Sequence, residues 1–384
     1  VLHRHSHYAG MASPRNSYLY QRRLDFMRGR SKLAVSSEQL MDVTITVEPF
    51  SDHLRDGYER LLPEQTDGLA RGKLHWRFRD NPAAGSLFAV ARDAAGTMLG
   101  INAFMALKLR LNGTLVTSYQ SMDTIVDPVC RGQGLFSKLL NSFYAAVNAG
   151  LLYGFPNGNS AHGFFNKLGW KRLGSPPFLI KPLRMGYFLK RFIGPRAKYL
   201  DLPLAFTRRL NETGIVTLAR FDARVEDVWA SVAQRFACAV ERDAAYLNWR
   251  IADHPEMRYT TYAVEGEGSA LNAFITIITL EKHGGRIGYV MEALARPGHE
   301  PSLARLFRKV TNTFLAHGAD AVLAWCPSHA PNYASYRRAG FWVMPEKIRP
   351  ITLHFGYRPL ADTPELANLS YRDWYISYLD SDTV

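Results

Sequence analysis

Val126-Asp127-Pro128-Val129-Cys130-Arg131-Gly132-Gln133-Gly134-Leu135-Phe136 is the stretch on which the reading of this chain turns. A long apolar strand, predicted over 115–126, runs into it. A helix runs out of it, because Phe136, Leu139, Leu140, Phe143 and Val147 recur at helical spacing. A glycine-bearing loop that opens a helix presents N–H groups with no partner inside the helix. With the helix dipole they form an anion site. Gly132 and Gly134 let a bulky diphosphate approach the backbone, and Arg131 adds a cation. The dipole contributes only about 0.3–1 kcal/mol per charge, so convergent N–H bonds and Arg131 must supply the rest. No Gly-Lys-Ser/Thr follows, and no third glycine falls at dinucleotide spacing, which excludes both of those phosphate loops. Cys130 sits where backbone atoms would do the work, so it is not read as a nucleophile.

The loop lies inside one copy of a diverged internal repeat. Trp76-Arg77 followed by Asn81-Pro82 returns as Trp249-Arg250 followed by His254-Pro255. Asn102-Ala103-Phe104 returns as Asn272-Ala273-Phe274, and the turn Asn112-Gly113 as Gly284-Gly285. Pro128 matches Pro297, and Lys167-Leu168-Gly169-Trp170 matches Arg338-Ala339-Gly340-Phe341. Five matches in order, at offsets of 169 to 173, define two copies of one domain, 42–180 and 215–355.

Each copy reads as helix, strands, helix, strand, helix. In the first, a helix is expected over 56–78 and strands over 86–92, 97–110 and 115–126, with Asn112-Gly113 as a hairpin turn. A helix over 136–148, a buried strand over 151–155 and a helix over 160–168 complete it. In the second, one long helix is expected over 225–250. Strands over 259–265, 270–280 and 286–295, a helix over 301–317, a strand over 320–326 and a helix over 331–339 follow it. Antiparallel and parallel strands with helices on both faces give an α/β (α+β layered) domain, twice over.

The chain has 384 residues, 47% of them apolar and 21% charged, which suits a folded globular protein rather than a disordered one. No apolar run approaches the length of a membrane-spanning helix. Cys130, Cys238 and Cys326 are too far apart for a zinc site or a disulfide framework, which fits a reducing, cytoplasmic setting. The net charge of +13 favours anionic company: phosphate-bearing ligands, nucleic acid or a membrane face. Residues 1–41 are basic, carry His3, His5 and His7, and are read as a poorly ordered extension, with Met11 as a possible true start. The stretch 181–214 is a basic connector, with docking of an acidic carrier protein or peripheral membrane contact as its alternatives. The last segment, 356–384, is rich in aromatics (Tyr371, Trp374, Tyr375, Tyr378) and is expected to pack onto a domain.

The block from Ser118 to Trp170 resembles the acyl-CoA-binding half of the GNAT acyltransferase superfamily. The carrying motifs are Val126-Asp127-Pro128, Arg131-Gly132-Gln133-Gly134 and Phe165-Asn166-Lys167-Leu168-Gly169-Trp170, in the family's order. Through the repeat, a fainter likeness extends to 215–355, giving tandem GNAT-like domains. Two departures stand out. Val129 occupies the place of the loop's first cation, and the second copy has Arg296-Pro297-Gly298-His299-Glu300-Pro301 with no G-x-G, so CoA is expected on the first copy alone.

The resemblance implies a pantetheine arm lying beside the strand that carries Ile125 and Val126, with an amide near Ile125 facing the thioester oxygen. The diphosphate would rest on the amides of Arg131, Gly132, Gln133, Gly134, Leu135 and Phe136. Asn157 is either a pantetheine contact or a plain turn residue. Phe165 stands where many members have a tyrosine acid, so the leaving thiolate would depart unassisted or with help from Tyr153 or water; Tyr336 is its counterpart in the second copy. The attacking amine needs a base. Asp123 stands five residues before Pro128, and Glu292 five before Pro297; His162 is a third candidate. Each has a bland alternative as an ion-paired or solvated surface group. The expected activity is N-acyl transfer, acetyl in the first instance, from acetyl-CoA or another acyl-CoA to a primary amine of a small acceptor such as an amino sugar or nucleotide sugar. No metal is expected to take part. The alternatives are an acyl-carrier-protein donor and a non-catalytic GNAT-like binding shell. Nucleic-acid binding rests on charge alone and is not expected.

Overall fold

The computed structural model describes residues 43–61, 71–361 and 363–382; the basic extension expected over 1–41 lies outside the described residues. The first half runs β1 (Thr44–Pro49), α1 (Asp52–Leu61), α2 (Arg71–Phe78), β2 (Leu87–Arg92), β3 (Met98–Leu111), β4 (Thr114–Val126), α3 (Leu135–Ala146), β5 (Leu151–Gly154), α4 (Ala161–Lys167) and β6 (Lys171–Gly174). β7 (Phe178–Pro182), α5 (Met185–Ile193) and a 3-10 turn (Gly194–Leu200) follow. The second half runs β8 (Ile215–Leu218), α6 (Arg224–Ala233), β9 (Cys238–Val240), β10 (Thr260–Glu265), β11 (Leu271–Lys282), β12 (Gly285–Ala295), α7 (Glu300–Ala316), β13 (Ala321–Trp325), α8 (Tyr333–Arg338), β14 (Trp342–Val343) and β15 (Phe355–Pro359).

Strand alternation decides what each face of the first sheet covers. Ala89, Ala91, Phe104 and Ala106 pack on one face against Leu135, Leu139, Leu140 and Phe143 of α3. Their neighbours Phe88, Val90, Ala103 and Met105 face the other way, into a core shared with α1, α2 and the second half. Both hairpins turn through two residues at positive φ, as two-residue turns between twisted strands require. These are Asn112 (48°) and Gly113 (84°), then His283 (56°) and Gly284 (76°). The second turn is thus one residue earlier than the expected Gly284-Gly285.

The two sheets exchange strands. The first is ordered β1-β2-β3-β4-β5-β15-β6 and the second β14-β7-β13-β12-β11-β10-β8. β15, from the end of the chain, lies between β5 and β6. Reciprocally, β7 leaves the first half to lie between β13 and β14. A boundary at 180 therefore falls within a strand of the second sheet, and part of the expected connector is the strand β7 and the helix α5. The helix expected over 225–250 is broken as well. After α6 the chain forms β9, which adds to the far end of β3, and resumes as short helical turns at Ala244–Leu247 and Asn248–Ala252. Beside that junction Arg110 donates two hydrogen bonds to Glu241 (2.9 and 2.8 Å), and Lys108 pairs with Asp243 at 2.9 Å.

The repeat meets itself at one point. Trp76 Nε1 donates to the Trp249 carbonyl and Trp249 Nε1 donates to the Trp76 carbonyl, each at 2.7 Å. Their rings stack 5.2 Å apart. Such reciprocity is the mark of a two-fold relation, here within one chain. The C-terminal aromatics seal the seam, with Trp374, Tyr375 and Tyr378 buried and Tyr378 stacked on Trp325.

Candidate active site

β4 and β5 run parallel but pair only at Tyr119↔Leu152 and Gln120↔Tyr153. Beyond Gln120 they part: β5, whose other edge pairs with β15, ends at Gly154, while β4 continues to Val126. The split begins beside Gly154, where an added Cβ would lie 3.1 Å from the Ser121 carbonyl and 3.4 Å from the Trp170 ring. From Ser121 to Val126 the edge of β4 that faces β5 has no ladder partner among the described residues.

Ladder parity says which amides face this opening. Asp127 N–H donates to the Leu99 carbonyl at 2.8 Å. Hydrogen-bonded pairs alternate along an antiparallel ladder, so the pair Ile101↔Ile125 is bonded inward and Val126 faces outward. The Val126 carbonyl confirms this, because it accepts from Arg131 Nε at 3.2 Å across the opening. The amide expected near Ile125 is therefore that of Val126.

The loop after β4 is held by its own groups. The Asp127 carboxylate accepts the Val129 N–H (3.1 Å), and Gln133 Nε2 donates to the Val129 carbonyl (3.3 Å). Gly132 and Gly134 have φ of 81° and 78°, and nothing lies within 4 Å of where their Cβ would be. The ladder of α3 begins with Lys138 N–H to the Gly134 carbonyl (3.1 Å), so the amides of Gly134, Leu135, Phe136 and Ser137 precede it. Cys130 is buried, and burial pushes its thiol pKa up. The Leu135 side chain is core, so only its amide faces the loop.

Asp123 lies in a β-bulge, where Asp123 and Thr124 together oppose Asn102, and it has φ of 48°. Tyr58 Oη donates to its Oδ2, and Arg77 Nη1 lies 3.1 Å from the same oxygen. Burial raises its pKa, and the Arg77 guanidinium opposes that rise without cancelling it. A cavity of about 150 Å³ opens across the seam between the halves; Asp123 does not itself line it, but its partner Arg77 and its neighbour Met122 do. Met122, Lys73, Arg77, Arg250, His254 and Asp382 are among its walls. Lys73 pairs with Glu256 at 3.1 Å, and Arg250 donates to the Ser381 carbonyl at 2.7 Å. Among the described residues no group of three His, Cys, Asp or Glu is placed to hold a metal ion.

No family model matches the chain, and no curated protein matches it in sequence. Solved structures do. Saccharomyces cerevisiae N-myristoyltransferase with bound myristoyl-CoA aligns over 82% of this chain and 78% of its own, at 12% identity and a TM-score of 0.53. A second structure of that enzyme aligns over 82% of each chain with a TM-score of 0.54. An Enterococcus faecalis V583 protein of unknown function, described as a probable N-acyltransferase, aligns over 83% of this chain and 73% of its own, at 10% identity and a TM-score of 0.57. The fold is a two-domain GNAT-like fold.

Within this GNAT-like frame the other candidate residues separate. Glu292 also follows a bulge, on β12, but it is sealed in the core. Tyr375 (2.5 Å), Ser377 (2.9 Å) and the Ala293 amide (3.0 Å) donate to its oxygens, and Arg242 lies 3.3 Å away. With both oxygens engaged and no route to an acceptor, the expectation that it acts as a base is corrected to a structural role. His162 is exposed on α4. Asn157 Oδ1 accepts the amides of Asn159 (3.0 Å) and Ser160 (3.1 Å), which is turn geometry. Phe165 packs under the Arg172 guanidinium, 4.6 Å from its centroid. Tyr153 and Tyr336 are both buried, and burial drives both hydroxyls well above their ordinary range. In the second half, Glu300 Oε1 accepts the Gly298 amide at 3.2 Å, putting a carboxylate where the first half offers open amides. Sequence reasoning missed Tyr58, Arg77 and His254 as site groups. The repeat had marked Arg77 and His254, through the Trp-Arg and His-Pro matches.

Proposed function

We propose that the protein is an acyltransferase that moves an acyl group from acyl-CoA to a primary amine by direct attack. The observation that carries this reading is the free edge of β4, which is followed, after the short turn Pro128–Cys130, by the open amides before α3. An extended pantetheine would pair along 121–126, as an added strand does on any unpaired edge. Its diphosphate would rest on the amides of Gly132 to Ser137, beside Arg131. The Val126 N–H would donate to the thioester oxygen as negative charge develops there. The acceptor would enter from the cavity across the seam. Its amine nitrogen forms the new C–N bond, the C–S bond breaks, the thiolate of CoA leaves, and the amine proton goes to Asp123. Tyr58 and Arg77 hold that carboxylate in place. Lys73 and Arg77 are paired with Glu256 and Asp123, and Asp382 shares the wall, so Arg250, bonded to backbone carbonyls, is the cation that would meet an anionic group on the acceptor, as a phosphorylated amino sugar or a nucleotide sugar carries.

Calorimetric titration with acetyl-CoA and longer acyl-CoAs tests the donor site. Gly134→Trp forces a side chain onto a left-handed backbone and into the diphosphate's place, and is expected to abolish binding while circular dichroism stays unchanged. Asp123→Asn is expected to keep acyl-CoA binding and to lower kcat by roughly 10²–10⁴-fold. Near-normal kcat/KM for Asp123→Asn across the pH profile would remove Asp123 from the mechanism. If no acyl-CoA binds, the donor reading fails, and pull-down with acylated carrier protein becomes the next experiment.

A further inference from the structure

A second, larger cavity of about 640 Å³ lies wholly in residues from Lys181 onward, between α7, α8, the end of β7 and the segment 204–208. Four cations line it: Lys181, Arg208, Arg308 and Arg338. None of the four forms an ion pair among the described residues; Glu300, at one end, is the carboxylate in the lining, and it accepts the Gly298 amide. Lys181 is the deepest of the four, with Nζ 2.7 Å from Thr311 Oγ1. Burial first, then the neighbouring Arg208, pushes its pKa down to about 8. A half-buried ammonium facing another cation is an arrangement that an anion would relieve.

The rim is apolar and exposed. Phe206, 69% exposed, and Trp342, 62% exposed, both line the groove. Leu204, 45% exposed, lines the same cavity. Exposed apolar side chains gathered beside a cationic cleft mark an interaction surface. Guanidinium groups match phosphate oxygens in pairs, and aromatic side chains are favoured at the boundary between headgroups and acyl chains. No helix among the described residues is long and apolar enough to cross a bilayer, so contact through this face would be peripheral.

We propose that this face docks on an anionic phospholipid bilayer, with a lipid phosphate seated among Lys181, Arg208 and Arg338 and with Phe206 and Trp342 dipping into the interface. The four cations line one cleft, with Arg208 close enough to Lys181 to depress its pKa, which suits a compact phosphodiester better than the dispersed carboxylates of an acidic protein. None of its residues belongs to the loop before α3 or to the cavity across the seam, so docking and acyl transfer can be assayed separately.

Vesicle sedimentation with the full chain tests this, comparing phosphatidylcholine alone with vesicles containing about 30% phosphatidylglycerol, because basic surface groups respond to anionic leaflets. The expected result is binding to the anionic vesicles only. Arg208→Gln with Arg338→Gln should weaken it by about 30-fold, each surface cation being worth roughly fivefold. Phe206→Ser with Trp342→Ser should weaken it at least about tenfold at unchanged charge. All four positions are exposed, so these variants should fold and keep acyl-CoA binding. Equal binding to both vesicle types, no binding to either, or unchanged binding by the arginine variant would each overturn the proposal. So would capture of an acidic carrier protein by this face in the absence of vesicle binding.

Discussion

Replacing His254 by Asn separates two things that the residue does. Its Nδ1 accepts the amides of Glu256 (3.2 Å) and Met257 (3.0 Å), as Asn81 Oδ1 accepts the Ala83 amide (2.9 Å) at the matching place in the first half. Asn is therefore the residue the repeat already uses for that turn. Its ring lies 4.2 Å from the Trp76 ring and is almost fully buried. That burial, then Arg250, Lys73, Arg77 and Arg258, pushes the pKa down from 6.5 to about 3. The unfolded chain takes up a proton near pH 6.5, and the folded one does not until near pH 3. The stability this group confers is therefore complete above pH 6.5 and is lost as the pH falls from 6.5 toward 3. One proton changes stability by about 1.36 kcal/mol per pH unit. Between pH 7 and pH 4.5 the wild type should lose about 2.5 kcal/mol that His254→Asn does not lose. Urea unfolding of both proteins at the two pH values measures the difference, since the other titrating groups are common to both. Equal losses would refute the assignment of a buried neutral imidazole at this seam.

Arg242→Met should destabilise the protein by about 3–5 kcal/mol, because it leaves Glu292 and Asp380, at 3.3 and 2.6 Å from the guanidinium, buried without their cation. Chemical denaturation checks this, and a change within about 0.5 kcal/mol, the range of ordinary surface substitutions, would deny the network its structural role. Trp76→Phe should cost about 1–3 kcal/mol by stranding the Trp249 carbonyl, and Trp249→Phe should cost a similar amount. Because each ring stacks on the other, the double variant should lose less than the two single losses combined, and simple additivity would argue against a coupled pair.

The parts of this fold that were legible in the sequence are local ones. The loop 126–136 declared itself through Pro, Gly and the apolar spacing of α3, all within about 20 residues. The strands that flank Asn112-Gly113 are long enough to show their turn. The strands that escaped notice are β1, β6, β7, β8, β9, β14 and β15, of two to six residues, and the partners of β6, β7, β14 and β15 lie far along the chain. Periodicity needs length, and none of them has it. The helix expected over 225–250 failed for a related reason: Cys238–Val240 is apolar enough for either state, and pairing with Leu109–Leu111 decides for strand. At the site, the sequence set Asp123 and Glu292 at one distance from Pro128 and Pro297, whereas in the ladders Asp123 lies opposite Asn102 and Glu292 opposite Thr276. That spacing said nothing about environment, which the C-terminal Tyr375 and Ser377 supply for Glu292 and Tyr58 and Arg77 for Asp123.

The exchange of β7 and β15 also has a consequence in time. During synthesis the first sheet can form β1 to β5 but cannot take in β6, because the strand that belongs between β5 and β6 is about 200 residues away. At about 5–20 residues per second, a ribosome needs on the order of 10–40 s to deliver it. For that interval β5 and β6 present raw edges, the kind of surface that templates aggregation. A nascent chain stalled near residue 350 should therefore bind chaperones and be cut by protease near β5, whereas one released past residue 382 should not.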